Sequence, residues 1–208
     1  MNTSVSLILA ILPIHFTVMA SPGPNSVLLL ATSLSSGRSD AMYAALGVAV
    51  ASLMWMVGAA IGVSTILEVL PVLGQALKIA GGGYLIYLGF KLWTANPLTP
   101  DTVGKANKSQ GSFFRRGLIS NLTNPKSAAY FGSIFAAFLT DEVSTVALVI
   151  TISLLFLMSI VWHGALATIF STRAFRNPYL KHSQSINRIA GAILSALGVK
   201  LAASAWTS

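Results

Sequence analysis

The chain has no cysteine. That excludes disulfides, thiolate metal sites and cysteine nucleophiles, and it leaves the redox compartment open. Acid is almost as scarce, with Asp40, Glu68, Asp101, Asp141 and Glu142 the only carboxylate side chains. Charged residues of both signs make up 9% of the 208 residues, against about 25% in a soluble domain. Hydrophobic residues supply 54%, so an ordinary soluble domain is excluded. Charge-free stretches run from Met1 to Gly37, Ala41 to Leu67 and Val143 to Thr172, each longer than the roughly 20 apolar residues that cross a bilayer core. The composition is that of a polytopic membrane protein, with the lipid bilayer as its surroundings. Its formal charge of +8 reflects few acids rather than many bases, so it does not point to nucleic acid, and no nucleic-acid partner is expected.

Apolar runs bounded by polar punctuation predict six spans, at about 4 to 34, 40 to 67, 72 to 92, 113 to 139, 144 to 171 and 188 to 206. Val18-Met19-Ala20 resembles a signal-cleavage site, but no base precedes it and the apolar run continues beyond it, so the first span is expected to stay uncleaved. Basic loops resist translocation. Arg38 lies in the first connection, Lys91, Lys105, Lys108, Arg115 and Arg116 fall around the third, and Arg173, Arg176, Lys181 and Arg188 in the fifth, which makes ten of the thirteen bases. The second and fourth connections carry only Glu68, Asp141 and Glu142. Both termini are therefore expected outside. The polar segment from Thr94 to Ser112 reads as a cytoplasmic linker.

That linker divides a single transmembrane domain, 1–208, into repeats of about 1–93 and 113–208. Ile79-Ala80-Gly81 through Leu88-Gly89-Phe90-Lys91-Leu92 is echoed by Ile189-Ala190-Gly191 through Leu197-Gly198-Val199-Lys200-Leu201, with one residue deleted, and Pro24-Asn25-Ser26 aligns with Pro125-Lys126-Ser127. Three spans per repeat is an odd number, so the second copy must enter from the opposite side. The expected fold is an all-α membrane protein of six helices in two inverted three-helix repeats, an architecture that many secondary transporters use.

Ser21-Pro22-Gly23-Pro24-Asn25 removes two backbone donors inside the first span, so a continuous helix is not expected there. Leu122-Thr123-Asn124-Pro125-Lys126 does the same inside the fourth. Broken helices survive in a membrane only where protein or a wet cavity satisfies the freed groups. Two breaks at matching positions bring helix N-termini and free carbonyls to one point, which suits a zwitterion. The N–H groups after Pro24 and Pro125 can meet a carboxylate, and the carbonyls around Ala20, Ser21, Asn121 and Leu122 can accept from an ammonium. The expected binding residues are Ser21, Asn25, Asn121, Asn124 and Lys126, with Pro22, Gly23, Pro24 and Pro125 holding the breaks. Lys126 either attracts a carboxylate, passes a proton or snorkels to the cytoplasmic face. The plainer alternative is a pair of proline kinks that only shape packing.

His15 and His163 are the other titratable groups inside spans and are candidates for a proton relay. Without a cluster of His, Asp, Glu or Cys, no metal site or cofactor is expected. Gly58 and Gly62, and Gly81 to Gly83, read as smooth helix-packing faces, which also permit a homodimer. Trp93 and Trp206 read as interface anchors, while Trp55, Trp162, Tyr84, Tyr87 and Tyr130 read by default as core packing, with cavity lining the alternative. No hydrolase, P-loop or dinucleotide motif occurs.

Ser21-Pro22-Gly23-Pro24-Asn25, Gly81-Gly82-Gly83-Tyr84-Leu85 with Tyr87-Leu88-Gly89, and Gly117-Leu118 through Asn121-Leu122-Thr123-Asn124-Pro125-Lys126 with Tyr130-Phe131 together resemble the lysine exporter (LysE/RhtB) family over nearly the whole chain. Within that family the pattern is most similar to threonine and homoserine efflux proteins. The resemblance implies a non-enzymatic bacterial inner-membrane exporter of small neutral or hydroxylated amino acids, working as an antiporter driven by the proton motive force. Many members carry Asp where this chain has Asn25, so the resemblance implies that any proton or ammonium role of that carboxylate is altered here or filled by another group. A passive channel and a non-transporting membrane subunit are the competing classes.

Overall fold

The computed structural model describes residues 3–69, 73–96, 113–139 and 143–205, and the described residues form eight α-helices. They are α1 (Thr3–Ala20), α2 (Pro24–Ser36), α3 (Arg38–Val69), α4 (Leu73–Trp93), α5 (Phe113–Leu122), α6 (Pro125–Phe138), α7 (Thr145–Ser171) and α8 (Arg173–Ser204). Most of the expected linker, at 97–112, lies outside the described residues, as does Trp206. The apolar stretch Arg38–Val63 of α3, together with α7 and α8, is long and apolar enough to cross a membrane. The chain is a membrane protein.

Both proline motifs interrupt a helix. Pro24 and Pro125 each occupy the first position of the helix after the break, where a missing N–H costs nothing and the fixed φ favours helix. The interruptions leave four short helices, of 18, 13, 10 and 14 residues, where hydropathy alone suggests two long spans.

The last helix differs from its expected start. It begins at Arg173 rather than near 188, because its first turns are basic and polar and give no hydropathy signal. Leu180, Ser183, Asn187, Ala190, Leu194, Gly198 and Leu201 are buried along one stripe, so helical spacing of a narrow buried face holds this segment in place.

Helices α4 and α8 pack through glycine. A Cβ on Gly82 would lie 2.6 Å from the Gly198 carbonyl oxygen, and one on Gly191 would lie 2.5 Å from that of Gly89. As the α4 number rises its α8 partner falls, so the two helices run antiparallel with their backbones in direct contact. Gly47 of α3 and Gly117 of α5 form a second such crossing, where a Cβ would collide with backbone. Of the expected packing faces, Gly81 meets Ser133 and Gly82 meets α8, while a Cβ on Gly58, Gly62 or Gly83 would meet nothing within 4 Å in the single chain. The seam is built by Gly82, Gly89, Gly191 and Gly198. Spacing alone does not separate glycines facing a neighbour from glycines facing outward.

The core has two parts. Ile11, Met56, Leu85, Tyr130, Leu155 and Leu194 lie in the larger, and Leu29, Leu30, Ala44, Leu166 and Phe170 in the smaller. The two helix breaks lie where α1, α2, α5 and α6 meet. Gly191→Ala and Gly198→Ala are expected to lower stability by about 1–3 kcal/mol through overpacking, while Gly58→Ala and Gly83→Ala leave it unchanged. Thermal unfolding of the purified variants in detergent checks this.

Candidate functional site

The two interrupted helices cross antiparallel with their breaks face to face. His15 lies opposite Tyr130, Val18 and Ser21 opposite Lys126, and Asn25 opposite Ser120 and Asn121. A cavity of about 50 Å³ lies between them. Ser21, Gly23, Asn25, Asn121, Asn124, Lys126, His15 and His163 line it, so every polar residue singled out from the sequence reaches one place. Pro22, Pro24 and Pro125 set the chain direction beside it and are not among its lining residues.

The second residue of the helix after each break reaches across to the other break. Asn25 of α2 donates from Nδ2 to Asn121 Oδ1 at 2.9 Å, and its Oδ1 accepts from Ser120 Oγ at 3.3 Å. Lys126 of α6 donates from Nζ to the carbonyl oxygens of Val18 at 3.0 Å and Ser21 at 3.2 Å, and it also contacts Ser21 Oγ. These are orphan carbonyls at the C-terminal end of α1, the negative end of the helix dipole, where a cation is favoured. Lys126 therefore faces inward and does not snorkel to a surface.

Asn121 is the hub of the site. Its side chain is fully buried and donates to Val48 O and Ser52 Oγ, both at 2.8 Å. Its Oδ1 accepts from Asn25 and from Ser127 Oγ at 2.5 Å. One amide thereby joins α2, α3, α5 and α6.

Four further carbonyls around the breaks accept from aromatic donors in a crosswise pattern. Trp55 of α3 donates from Nε1 to Asn121 O at 3.1 Å, and Trp162 of α7 donates to Met19 O at 3.0 Å. Asn121 and Met19 are each the penultimate residue of the helix before a break. Tyr84 of α4 donates to Pro125 O at 3.2 Å, and Tyr179 of α8 donates to Ala20 O at 3.3 Å. Each half of the chain thus satisfies the interruption in the other half. Trp55, Trp162 and Tyr84 are therefore hydrogen-bond donors to the breaks, beyond the core packing that the sequence suggests for them. The carbonyls of Ala20, Ser21 and Asn121, expected to be free for a solute, each already accept from the protein. Dry surroundings explain the difference, since a carbonyl without water must find a donor on a neighbouring helix.

The two helix N-termini at the breaks are not alike. Asn124 caps α6, its side chain accepting from Lys126 N at 3.0 Å. Gly23 caps α2 in extended geometry with no side-chain bond. The first N–H groups of α2 therefore have no side-chain cap, Asn25 and Ser26 of that turn line the cavity, and a Cβ on Gly23 would lie 3.8 Å from Lys126 Nζ. An uncapped helix start beside an ammonium is a setting for an anionic group.

His15 is buried, with Nδ1 3.3 Å from Tyr130 OH and Nε2 3.1 Å from Ser159 Oγ. His163 donates from Nδ1 to the Ser159 carbonyl at 2.8 Å. Both rings border the cavity and meet at Ser159, but one contacts its hydroxyl and the other its backbone. Ser26, Ser52, Ser127 and Tyr130 also line the space, and sequence reasoning does not single them out as site residues. A signal for Ser26 and Ser127 exists, because both follow the proline motif in the internal repeat. Ser52 gives none beyond being a polar residue in an apolar run.

The LysE type translocator family model matches residues 16–205. The threonine efflux protein of Escherichia coli K12 is 29% identical over 203 residues, covering 94% of this chain and 97% of that protein. The threonine efflux protein of Salmonella typhimurium LT2 is 29% identical over 192 residues, covering 90% and 93%. A further relative, named Uncharacterized membrane protein YahN of Escherichia coli K12, is 30% identical over 183 residues, covering 87% and 82%. No solved structure matches the chain.

Trp55→Phe and Trp162→Phe keep an aromatic ring and delete one donor each. Each is expected to cost about 1 kcal/mol, the net worth of a hydrogen bond. Parallel thermal melts of the two variants check this.

Proposed function

The chain belongs to the LysE type translocator family, and on that premise we propose that it exports small neutral or hydroxylated amino acids, threonine and homoserine among them, from the bacterial cytoplasm. The names of the efflux relatives support the class of cargo. The observation that carries the reading is the meeting of two interrupted helices at one polar cavity, with an uncapped helix start and an ammonium side by side.

In this reading the six expected spans form two inverted repeats in the inner membrane, with both termini in the periplasm. The antiparallel seam of α4 and α8 and the crosswise caps support such a pairing of halves. A cavity of about 50 Å³ has room for a few water molecules and not for an amino acid, so loading requires the breaks to part. The solute carboxylate enters between the uncapped start of α2 and Lys126. Its ammonium then replaces Lys126 at the carbonyls of Val18 and Ser21, releasing the lysine to pair with the carboxylate. Binding is thereby tied to rearrangement, because the solute gains its contacts only where internal ones are given up. Rocking of one half against the other breaks the aromatic caps of one interruption at a time and exposes the solute to each side in turn.

The lining contains Lys126 and no carboxylate, so a second positive charge on the cargo has nothing to meet. Dibasic amino acids are therefore excluded despite the family's name. The proton motive force supplies the drive, with His15 and His163 at hand for proton passage beside the cavity.

Cells overexpressing the protein and loaded with each of the twenty amino acids are expected to export threonine and similar neutral residues and to retain lysine and arginine. Lys126→Met is expected to bring export to background at an unchanged protein level. Export by that variant at the wild-type rate removes the lysine from the mechanism. Saturable counterflow in proteoliposomes separates a transporter from a channel.

A further inference from the structure

Away from the breaks, a groove of about 680 Å³ opens between α3 and α7. Its lining is divided by chemistry. Arg38 and Ser39, in the first turn of α3, form one end, and Met42 and Leu46 of α3 with Ile160 and Gly164 of α7 form most of the rest. Gly164 provides a floor without a side chain, and only the flexible tip of Met42 leans over it, with Cε 3.5 Å from a Cβ position there. Met42, Leu46 and Ile160 are 41%, 43% and 36% exposed, so the groove opens outward. Both walls belong to helices long and apolar enough to span a membrane. The groove therefore faces lipid along its apolar part, with its cationic end at the helix terminus, where headgroups lie.

We propose that this groove is a binding site for an anionic phospholipid, with the lipid phosphate on Arg38 and Ser39 and an acyl chain along Met42, Leu46, Ile160 and Gly164. Guanidinium recognises phosphate through paired charge-assisted hydrogen bonds, and basic pockets between membrane helices select acidic headgroups. No carboxylate lines the groove to oppose the phosphate. Asp40, also in the first turn of α3, is not among the lining residues. The apolar end requires the ligand to carry a chain, which free phosphate lacks. Behind the groove wall, Ala41, Ala44, Ala45, Leu166 and Ala167 pack in the smaller core with Leu29 and Leu30 of α2. A lipid seated here therefore braces the helix that follows the first break.

Thermal unfolding of the purified full-length chain in a neutral detergent, titrated with dioleoyl phosphatidylglycerol or dioleoyl phosphatidylcholine, tests the site. The wild type is expected to be stabilised saturably, with half-saturation at about five-fold lower phosphatidylglycerol than phosphatidylcholine, the worth of one basic side chain at an acidic lipid. Arg38→Gln is expected to erase that preference. Leu46→Trp, which fills the apolar part from an exposed position, is expected to weaken both lipids alike. Inorganic phosphate and glycerol 3-phosphate are expected to give no shift. Equal titration by the two lipids on the wild type overturns the proposal, as does a preference that survives Arg38→Gln. Stabilisation by inorganic phosphate that matches phosphatidylglycerol also overturns it, because the ligand would then be the free anion.

Discussion

A peptide carbonyl held away from water must find a donor, and nearly everything at the centre of this molecule answers that demand. Prolines interrupt two helices inside apolar stretches, and each interruption leaves carbonyls short of their regular helical donors. Lys126, Trp55, Trp162 and Tyr179 come from four different helices to carbonyls before the breaks, and Tyr84 donates to Pro125 O just after the second. The polar centre of a largely apolar chain is thus a consequence of where its helices stop. Asn121 extends the same logic sideways, its amide satisfying backbone, hydroxyl and amide groups on three neighbouring helices.

The placement of the breaks is legible in the sequence because its cause is local. Pro-Gly-Pro and Asn-Pro cannot continue a helix wherever they occur, and in the structure the two breaks lie opposite one another. The gathering of Ser21, Asn25, Asn121, Asn124 and Lys126 follows from that. The partners of the stranded carbonyls are not legible, because Trp55 and Asn121 are 66 residues apart and Tyr179 and Ala20 are 159 apart. An indole in an apolar run looks the same whether its nitrogen meets a carbonyl or lies at a surface. The start of α8 is hidden for a different reason. Its first turns are held by a narrow buried stripe and carry bases on the remainder, so hydropathy is silent where helical spacing is not.

Glycine supplies what the polar centre cannot, a close approach between helices without hydrogen-bonding side chains. Where α4 meets α8 and α3 meets α5, backbones touch, and dispersion over such flat contacts is the attraction that remains between helices in an apolar medium. The division of labour is clear along α4 itself. Gly82 and Gly89 fix it to α8, while Tyr84 reaches to the break at Pro125.

The crosswise caps also impose an order on biogenesis. A ribosome releases Met19 and Ala20 long before their donors, which arrive 143 residues later at Trp162 and 159 residues later at Tyr179. Until then the carbonyls of Met19 and Ala20 lack these two donors, and the caps of the first interruption are complete only when α8 docks.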